Sequence, residues 1–358
     1  MDSQALRFAE TIRAAAARKA PLRFRGGGTK DFYGQALEGE ILDTRAHAGI
    51  VEYEPGEMVI TARCGTPLAE IEQTMRGRGQ MLAFEPPHFG SGATLGGMMA
   101  AGLSGPRRQA AGAARDFVLG VKILDGRGEE LGFGGQVMKN VAGYDVSRLI
   151  AGSLGTLGLI LEASIKALPL PVAETTLRLE LPEDKAIETL NKWGGKPIAI
   201  SASAWTGGEL AVRLSGAAAA VGEAVGKIGG ERVADDRAAG LWNGIREQTG
   251  PFFRAQAEAV IPLWRISLPS ATPPLRLPGA QMIEWGGALR WLASQADART
   301  VRDAARRAGG HATLFRAADK SAGAFQPLAP AFMKIHRELK HEFDPQGIFN
   351  RGRMYPEF

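Results

Sequence analysis

Three clusters of glycine carry the residue types and spacing best suited to chemistry in this chain. The first is Arg25-Gly26-Gly27-Gly28-Thr29-Lys30, and the second, about 65 residues on, is Ala93-Thr94-Leu95-Gly96-Gly97-Met98-Met99-Ala100-Ala101. The third runs from Leu149 through Gly152, Gly155 and Gly158 to Ile160. Glycine has no Cβ, so bare backbone N–H groups can approach an anion. Successive N–H groups turned inward form an anion nest. Three such runs, each beside an apolar segment, imply a chain folded around a phosphorylated cofactor. The first run is not a P-loop, because no Gly-Lys-Ser/Thr follows at the required spacing. It is not a dinucleotide fingerprint either, because Gly-x-Gly-x-x-Gly before a long helix is missing. Taken alone, it also fits a surface turn.

The elements that must position these loops can be read from pattern. Gln4–Lys19 reads as an amphipathic helix with Leu6, Ala9, Ile12 and Ala16 on one face. Pro21–Phe24 reads as a short strand feeding the first glycine run. Ile50–Tyr53 and Met58–Ala62 are strands about a Pro55-Gly56 turn. Thr66 is the expected N-cap of a helix with Pro67 at its first position, ending near Gly77. Val118–Leu124 and Glu130–Phe133 read as a hairpin turning at Asp125-Gly126, and Gly158–Ala167 as a buried strand. Pro169-Leu170-Pro171 breaks the pattern and marks a domain boundary.

Beyond it, strands at Thr175–Leu181, Ile198–Trp205, Glu209–Leu214, Ala259–Leu268, Gln281–Trp285, Ala288–Leu292 and His311–Phe315 alternate with helices at Glu183–Trp193, Ala217–Ile228, Asp236–Gln248 and Asp297–Ala308. This split β-α-β order occurs roughly twice and implies an antiparallel sheet covered on one face. The fold class is α+β, with domains expected at 1–170 and 171–326. Residues 327–358 supply a last helix, Leu328–Glu342, and a tail.

Composition narrows the class. The 358 residues are 45% hydrophobic and 23% charged, as in a soluble globular protein of two ordinary domains. The net charge of +5 is a mildly basic surface, without the Lys/Arg block and interleaved aromatics of nucleic-acid binding. The single cysteine, Cys64, excludes an internal disulfide framework and a cysteine-ligated iron–sulfur cluster on this chain. Arg7, Glu10, Arg13 and Arg18 interrupt the first helix, which is therefore not a signal peptide. No apolar run is long enough to span a bilayer. A cytoplasmic location is expected, with any membrane contact made through another subunit.

Arg25-Gly26-Gly27-Gly28-Thr29, the Pro86-Pro87 to Gly97 segment, and Val141-Ala142-Gly143-Tyr144-Asp145-Val146-Ser147-Arg148-Leu149 running into Gly155-Thr156-Leu157-Gly158 together resemble the PCMH-type FAD-binding domain of the vanillyl-alcohol-oxidase superfamily. The tail Phe343-Asp344-Pro345-Gln346-Gly347-Ile348-Phe349-Asn350-Arg351-Gly352-Arg353 resembles that superfamily's C-terminal return to the flavin. The wording Met138-Lys139-Asn140-Val141-Ala142-Gly143-Tyr144-Asp145, with the short second half, is most similar to the FAD-binding subunits of glycolate oxidases. The resemblance implies a two-subdomain FAD domain followed by an α+β cap domain. It also implies a complex with a larger flavoprotein subunit and an iron–sulfur subunit.

It further implies which residues touch the FAD. The nest is Gly26, Gly27, Gly28 and Thr29, with Arg25 and Lys30 as counter-charges or as plain solvated side chains. The second loop offers Pro87, His88, Gly92, Thr94, Gly96, Gly97, Ala101, Gly102 and Ser104. Ala100 to Gly102 leave room for the ring system or simply pack on a strand. Gly155, Thr156, Gly158 and Ile160 cover another part, and Asn350 and Arg353 return in the tail. Members that tether flavin do so through a histidine where Thr29 stands, or a cysteine near Gly92 and Ala93, so non-covalent FAD is expected. Cys64 reads as a small buried residue.

Relatives that oxidise 2-hydroxy acids bring metal-ligating histidines from the second domain. Here only His311 lies there, and a site needs several converging ligands. His336 and His341 are five apart on a helix and face different ways. No metal is expected. Trp264, Arg265, Trp285, Arg290, Trp291 and Arg316 form a possible substrate face or a core, arginine being able to grip a carboxylate with two hydrogen bonds. Three readings remain: an accessory flavoprotein of a glycolate-oxidising complex, a stand-alone FAD-dependent oxidase or dehydrogenase of a small 2-hydroxy acid, and a non-catalytic assembly subunit.

Overall fold

A computed structural model describes residues 2–36, 38–135 and 144–358. The motif residues 138–143 therefore lie outside the described residues. The chain divides into two compact units. The first comprises residues 1–103, 113–170 and 327–358, and the second residues 104–112 and 171–326. The segment 104–112 thus leaves the first unit and joins the second, a crossing that the sequence pattern does not announce.

In the first unit, five antiparallel strands lie in the order Ile50–Glu54, Val59–Arg63, Leu159–Lys166, Val118–Leu124, Glu130–Gly134. The apolar run Leu159–Lys166 is central, as expected of a strand buried on both faces. A separate parallel pair joins Leu22–Arg25 to Glu40–Asp43, with Leu22 opposite Glu40. Helix Ser3–Arg18, capped by Asp2, lays Phe8 and Ile12 against Leu22, Leu124, Leu159 and Phe349. Its buried stripe is Ala5, Phe8, Ala9, Ile12 and Ala15, while the expected Leu6 is exposed. The bulky Phe8 sets the inward direction, which a count of apolar residues misses.

Three local expectations are corrected. Thr66 does not cap the Leu68–Arg76 helix; its hydroxyl is engaged by Gly49, accepting from the N–H and donating to the C=O. The expected hairpin of Val118–Leu124 and Glu130–Phe133 forms, but its turn extends beyond Asp125-Gly126: the Asp125 carboxylate accepts the N–H groups of Arg127 and Glu129, holding a longer loop. Residues 259–262 are not strand. A helix, Pro251–Glu258, precedes a short strand, Leu263–Ser267, because Gly250-Pro251 is a good helix start.

The second unit is an eight-stranded antiparallel sheet. Its order is Glu231–Val233, Ala173–Glu180, Glu209–Gly216, Ile200–Thr206, Ala280–Glu284, Leu289–Ala293, Leu263–Ser267, His311–Arg316. The rough duplication surfaces as two apolar clusters. Ile187, Leu190, Val221 and Ala224 from two helices cover Leu177, Val212, Leu214 and Ile283. Val301 and Ala305 from the Ala298–Arg307 helix cover Trp264, Ile266, Leu292 and Leu314. The 104–112 segment is fixed to this sheet by Ser203 donating to Gln109 and Trp285 Nε1 donating to the Gly105 carbonyl. No helix among the described residues is long and apolar enough to cross a membrane.

Candidate functional site

The first unit contains a cavity enclosing about 790 Å³ of empty space, open solvent at its mouth included. Strand Leu22–Arg25 delivers the chain into its wall at Gly26, Gly27, Gly28 and Thr29. No hydrogen bond inside the protein takes up the backbone N–H groups of these four residues among the described ones. They are unclaimed donors on residues that line a cavity, which is what a polyanion needs.

The second loop meets the first backbone to backbone. A Cβ on Gly27 would lie 1.5 Å from the Gly92 carbonyl oxygen, and one on Gly26 would lie 2.4 Å from Thr94 Oγ1. Thr94 caps the helix Leu95–Ala101 by accepting the Gly97 N–H at 3.2 Å. The Gly96 N–H is bound to the Cys64 carbonyl, and a Cβ on Gly96 would meet Cys64 Cβ at 2.8 Å. The Gly96 N–H is thus spent on the Cys64 turn and the Gly97 N–H on the Thr94 cap, so neither is left to donate into the cavity. Thr94→Ala is expected to cost about 1 kcal/mol of unfolding free energy, the usual value of an N-cap. Urea unfolding would check it, with Thr94→Ser holding near wild type.

The far wall is Leu154, Gly155, Gly158, Leu159 and Ile160. It is tied to the glycine loop by Asn350. The Asn350 amide nitrogen donates to the Leu154 carbonyl at 2.6 Å, and its side-chain oxygen accepts the Phe24 N–H at 2.9 Å. Its backbone N–H reaches the Leu22 carbonyl. Arg353, buried, donates to the carbonyls of Lys30, Asp31 and Gln35, and burial pulls its pKa down to about 10. Beneath the tail, the buried Lys340 ammonium donates to the carbonyls of Thr156 and Phe349 and to the Asp344 carboxylate, at 2.7, 2.8 and 2.8 Å. Asp344 also accepts the Ile348 and Phe349 N–H groups.

Of the residues singled out from sequence, Arg25 to Lys30, Thr94, Gly96, Gly97, Ala101, Gly155, Gly158, Ile160 and Asn350 line this cavity. Pro87, His88, Gly92, Gly102, Ser104 and Thr156 do not. His88 pairs with Glu72 at 3.1 Å. Its carbonyl accepts the Lys30 ammonium, which thereby links the two loops. Gly102 is a left-handed helix cap against Gly152. Ser104 belongs to the second unit. Thr156 turns its hydroxyl to the Ser153 carbonyl. Missed from sequence were Phe24, Asp31, Thr44, Cys64, Leu154 and Leu159. Asp31 pairs with both Arg23 and Arg25, a salt link that fixes the loop's exit. Burial pushes the Cys64 thiol up to about 12, so it lines the wall as an inert neutral group.

In the second unit the six residues proposed as one substrate face are divided. Trp264 is core. Arg290 is fully buried and consumed by the carbonyls of Gly287, Thr272 and Pro273. Trp291 donates to the buried Glu284 at 2.6 Å, and Arg316 to Gln248. Arg265 and Trp285 remain together, the guanidinium 5.3 Å from the indole centroid. Among the described residues no group of three or more His, Cys, Asp or Glu side chains is placed to hold a metal.

Residues 5–134 match the FAD binding domain family. Over 355 residues the chain is 48% identical to glycolate oxidase subunit GlcE of Escherichia coli (strain K12), covering 99% of this chain and 98% of that one. Glycolate oxidase subunit GlcD of Bacillus subtilis (strain 168) matches at 32% identity over 163 residues, 44% of this chain and 34% of that one. A solved alkyldihydroxyacetonephosphate synthase shares the fold with a TM-score of 0.63, at 14% identity, over 96% of this chain and 74% of that one. The expected FAD-binding α+β architecture is thus the one this chain adopts. FAD is its cofactor. The free amides of the glycine loop suit its pyrophosphate.

Proposed function

This chain belongs to the family of glycolate oxidase subunit GlcE, and from that premise we propose that it is the FAD-binding subunit of a complex oxidising glycolate to glyoxylate. The observation that carries the reading is the set of unclaimed N–H groups at Gly26 to Thr29, held against Gly92 and Thr94 on one cavity. These residues hold the pyrophosphate, while Leu154 to Ile160 and Asn350 form the opposing wall. Bound FAD supplies two-electron and one-electron chemistry, and the protein supplies position and shielding. The flavin is held without a covalent link, since Thr29 and Ala93 offer no tether and Cys64 stays protonated.

The chain works with a larger flavoprotein subunit and an iron–sulfur subunit, its own single cysteine being insufficient for a cluster. Cytoplasmic placement, with membrane contact through those partners, fits the same picture. Among the described residues the second unit offers no metal-ligating cluster of the kind that would polarise a 2-hydroxy acid, which favours electron passage or assembly support over direct oxidation by this chain. The test is to purify the chain alone and with its partners and count flavin per chain. One non-covalent FAD per chain, unbleached by glycolate alone and bleached when the complex is assembled, is expected. A chain that takes up no FAD ends the reading. Bleaching by glycolate without partners replaces it with a stand-alone dehydrogenase.

A further inference from the structure

The loop that offers its amides ends on a carboxylate. Asp31 is among the residues that line the cavity, as are Arg25 and Lys30. Its backbone N–H closes a turn on the Gly28 carbonyl at 3.1 Å. One oxygen of its side chain meets two guanidinium groups, Arg23 at 3.1 Å and Arg25 Nε at 3.0 Å. Arg23 and Arg25 are two apart on the strand Leu22–Arg25, so both leave it on one face. Arg25 is folded back over the loop: a Cβ on Gly28 would lie 2.6 Å from its Nη2 and 2.9 Å from its Nε. The Asp31 carboxylate therefore stands within about 6 Å of that Cβ position. The neighbouring cations are spent elsewhere. Lys30 donates to the His88 carbonyl, and Arg353 to the carbonyls of Lys30, Asp31 and Gln35.

A carboxylate is an odd lining for an anion site, because like charges at this range repel. Bracing the loop does not require it: the Asp31 N–H bond to Gly28 and the Arg353 bond to the Asp31 carbonyl already do so. The glycine amides by themselves read only a pyrophosphate, and FAD shares that group with ADP. The two differ in charge. Each phosphorus of FAD carries a single ionised oxygen, whereas the terminal phosphate of ADP ionises a second time near neutral pH. We propose that Asp31 is a specificity-determining residue that sets how much negative charge this cavity accepts. It admits the pyrophosphate diester of FAD and disfavours nucleotides that end in a terminal phosphate, such as ADP and ATP. Its own charge penalises the additional one, and its hold on Arg23 and Arg25 keeps their forked donors from rewarding it. The inference rests on the reading of Gly26 to Thr29 as the pyrophosphate loop.

Competition against FAD tests it. The full chain, stripped of flavin and reloaded with FAD, is titrated with ADP and with ADP-ribose, whose pyrophosphate is a diester like that of FAD. Flavin fluorescence reports the displacement. Asp31→Asn should tighten ADP relative to ADP-ribose by about tenfold, the effect of one unit charge at this range in a partly solvated site. Asp31→Ser should move the ratio the same way, and Asp31→Glu, which keeps the charge, should stay nearer to wild type. Adding Arg25→Gln to Asp31→Asn should remove part of the gain, since the freed guanidinium supplies some of it. A ratio unchanged in both neutral variants, with FAD still bound, overturns the selectivity role and leaves Asp31 as a brace of the loop. So does an equal fall in affinity for FAD, ADP and ADP-ribose. A wild-type chain that takes up no FAD overturns the pyrophosphate reading of the loop and this inference with it.

Discussion

A Gly27→Val chain will emerge from purification without the yellow absorbance of flavin, and added FAD will not restore it. A Cβ there would lie 1.5 Å from the Gly92 carbonyl oxygen and 2.3 Å from its carbon. No rotamer relieves that overlap, because both partners are backbone. The two loops must separate, and the amides of Gly26, Gly28 and Thr29 then no longer converge. Even one lost charge-assisted contact to a phosphate is worth about 1.5–3 kcal/mol, and losing the nest as a unit exceeds tenfold several times over in affinity. Equilibrium dialysis against FAD measures it. Circular dichroism should show native secondary structure, since the overlap is local to two loops. Gly56→Val serves as the control, because a Cβ at Gly56 meets nothing. Full flavin content in Gly27→Val would show that the loop is a turn with no role in the cofactor.

The second large effect is one of stability. Lys340→Met removes a buried ammonium and leaves the buried Asp344 carboxylate without its counter-charge, and the Thr156 and Phe349 carbonyls without their donor. Breaking one partner of a buried pair costs about 3–5 kcal/mol. Desolvation already holds the Lys340 pKa below its usual value, so the cation depends on Asp344 and the two carbonyls. Combining Lys340→Met with Asp344→Asn should cost less than the sum of the two single changes, since both act on one pair. Chemical unfolding followed by fluorescence would report it. A loss under about 1 kcal/mol for Lys340→Met would place this pair among ordinary surface ion pairs.

The glycine loops were legible because their chemistry is local: a missing Cβ has the same meaning in any fold. The cavity they line needed no register to be anticipated. How the six residues offered as a substrate face divide was not legible, and the reason is period. Trp264 and Arg265 are neighbours in sequence, so they point to opposite sides of the sheet, and a strand pattern with tryptophan and arginine adjacent does not say which side is covered. The Ala298–Arg307 helix decides it by packing on Trp264. Arg290 looked like a ligand for the same reason and is instead satisfied by three carbonyls.

Lys340 and Asp344 were invisible for another reason. Four residues apart at the end of a helix rich in charge, they read as a solvated pair; only the return of residues 348–350 covers them. Segment 104–112 was assigned to the wrong neighbours because nothing in its composition marks a change of unit. The residues of the second loop divide. Thr94 and Gly96 line the cavity, whereas His88 is drawn off by Glu72.

The bond from the Asn350 N–H to the Leu22 carbonyl, with Leu22 in turn donating to Ile348, joins positions 328 residues apart. During synthesis the strand at Leu22 leaves the ribosome long before its partner exists. The part of the cavity wall that Asn350 and Arg353 supply stays unmade until residue 353 has cleared the exit tunnel. On the proposed reading, flavin capture is therefore a late event in the life of the nascent chain, and a chain that stops short of the tail is expected to be colourless.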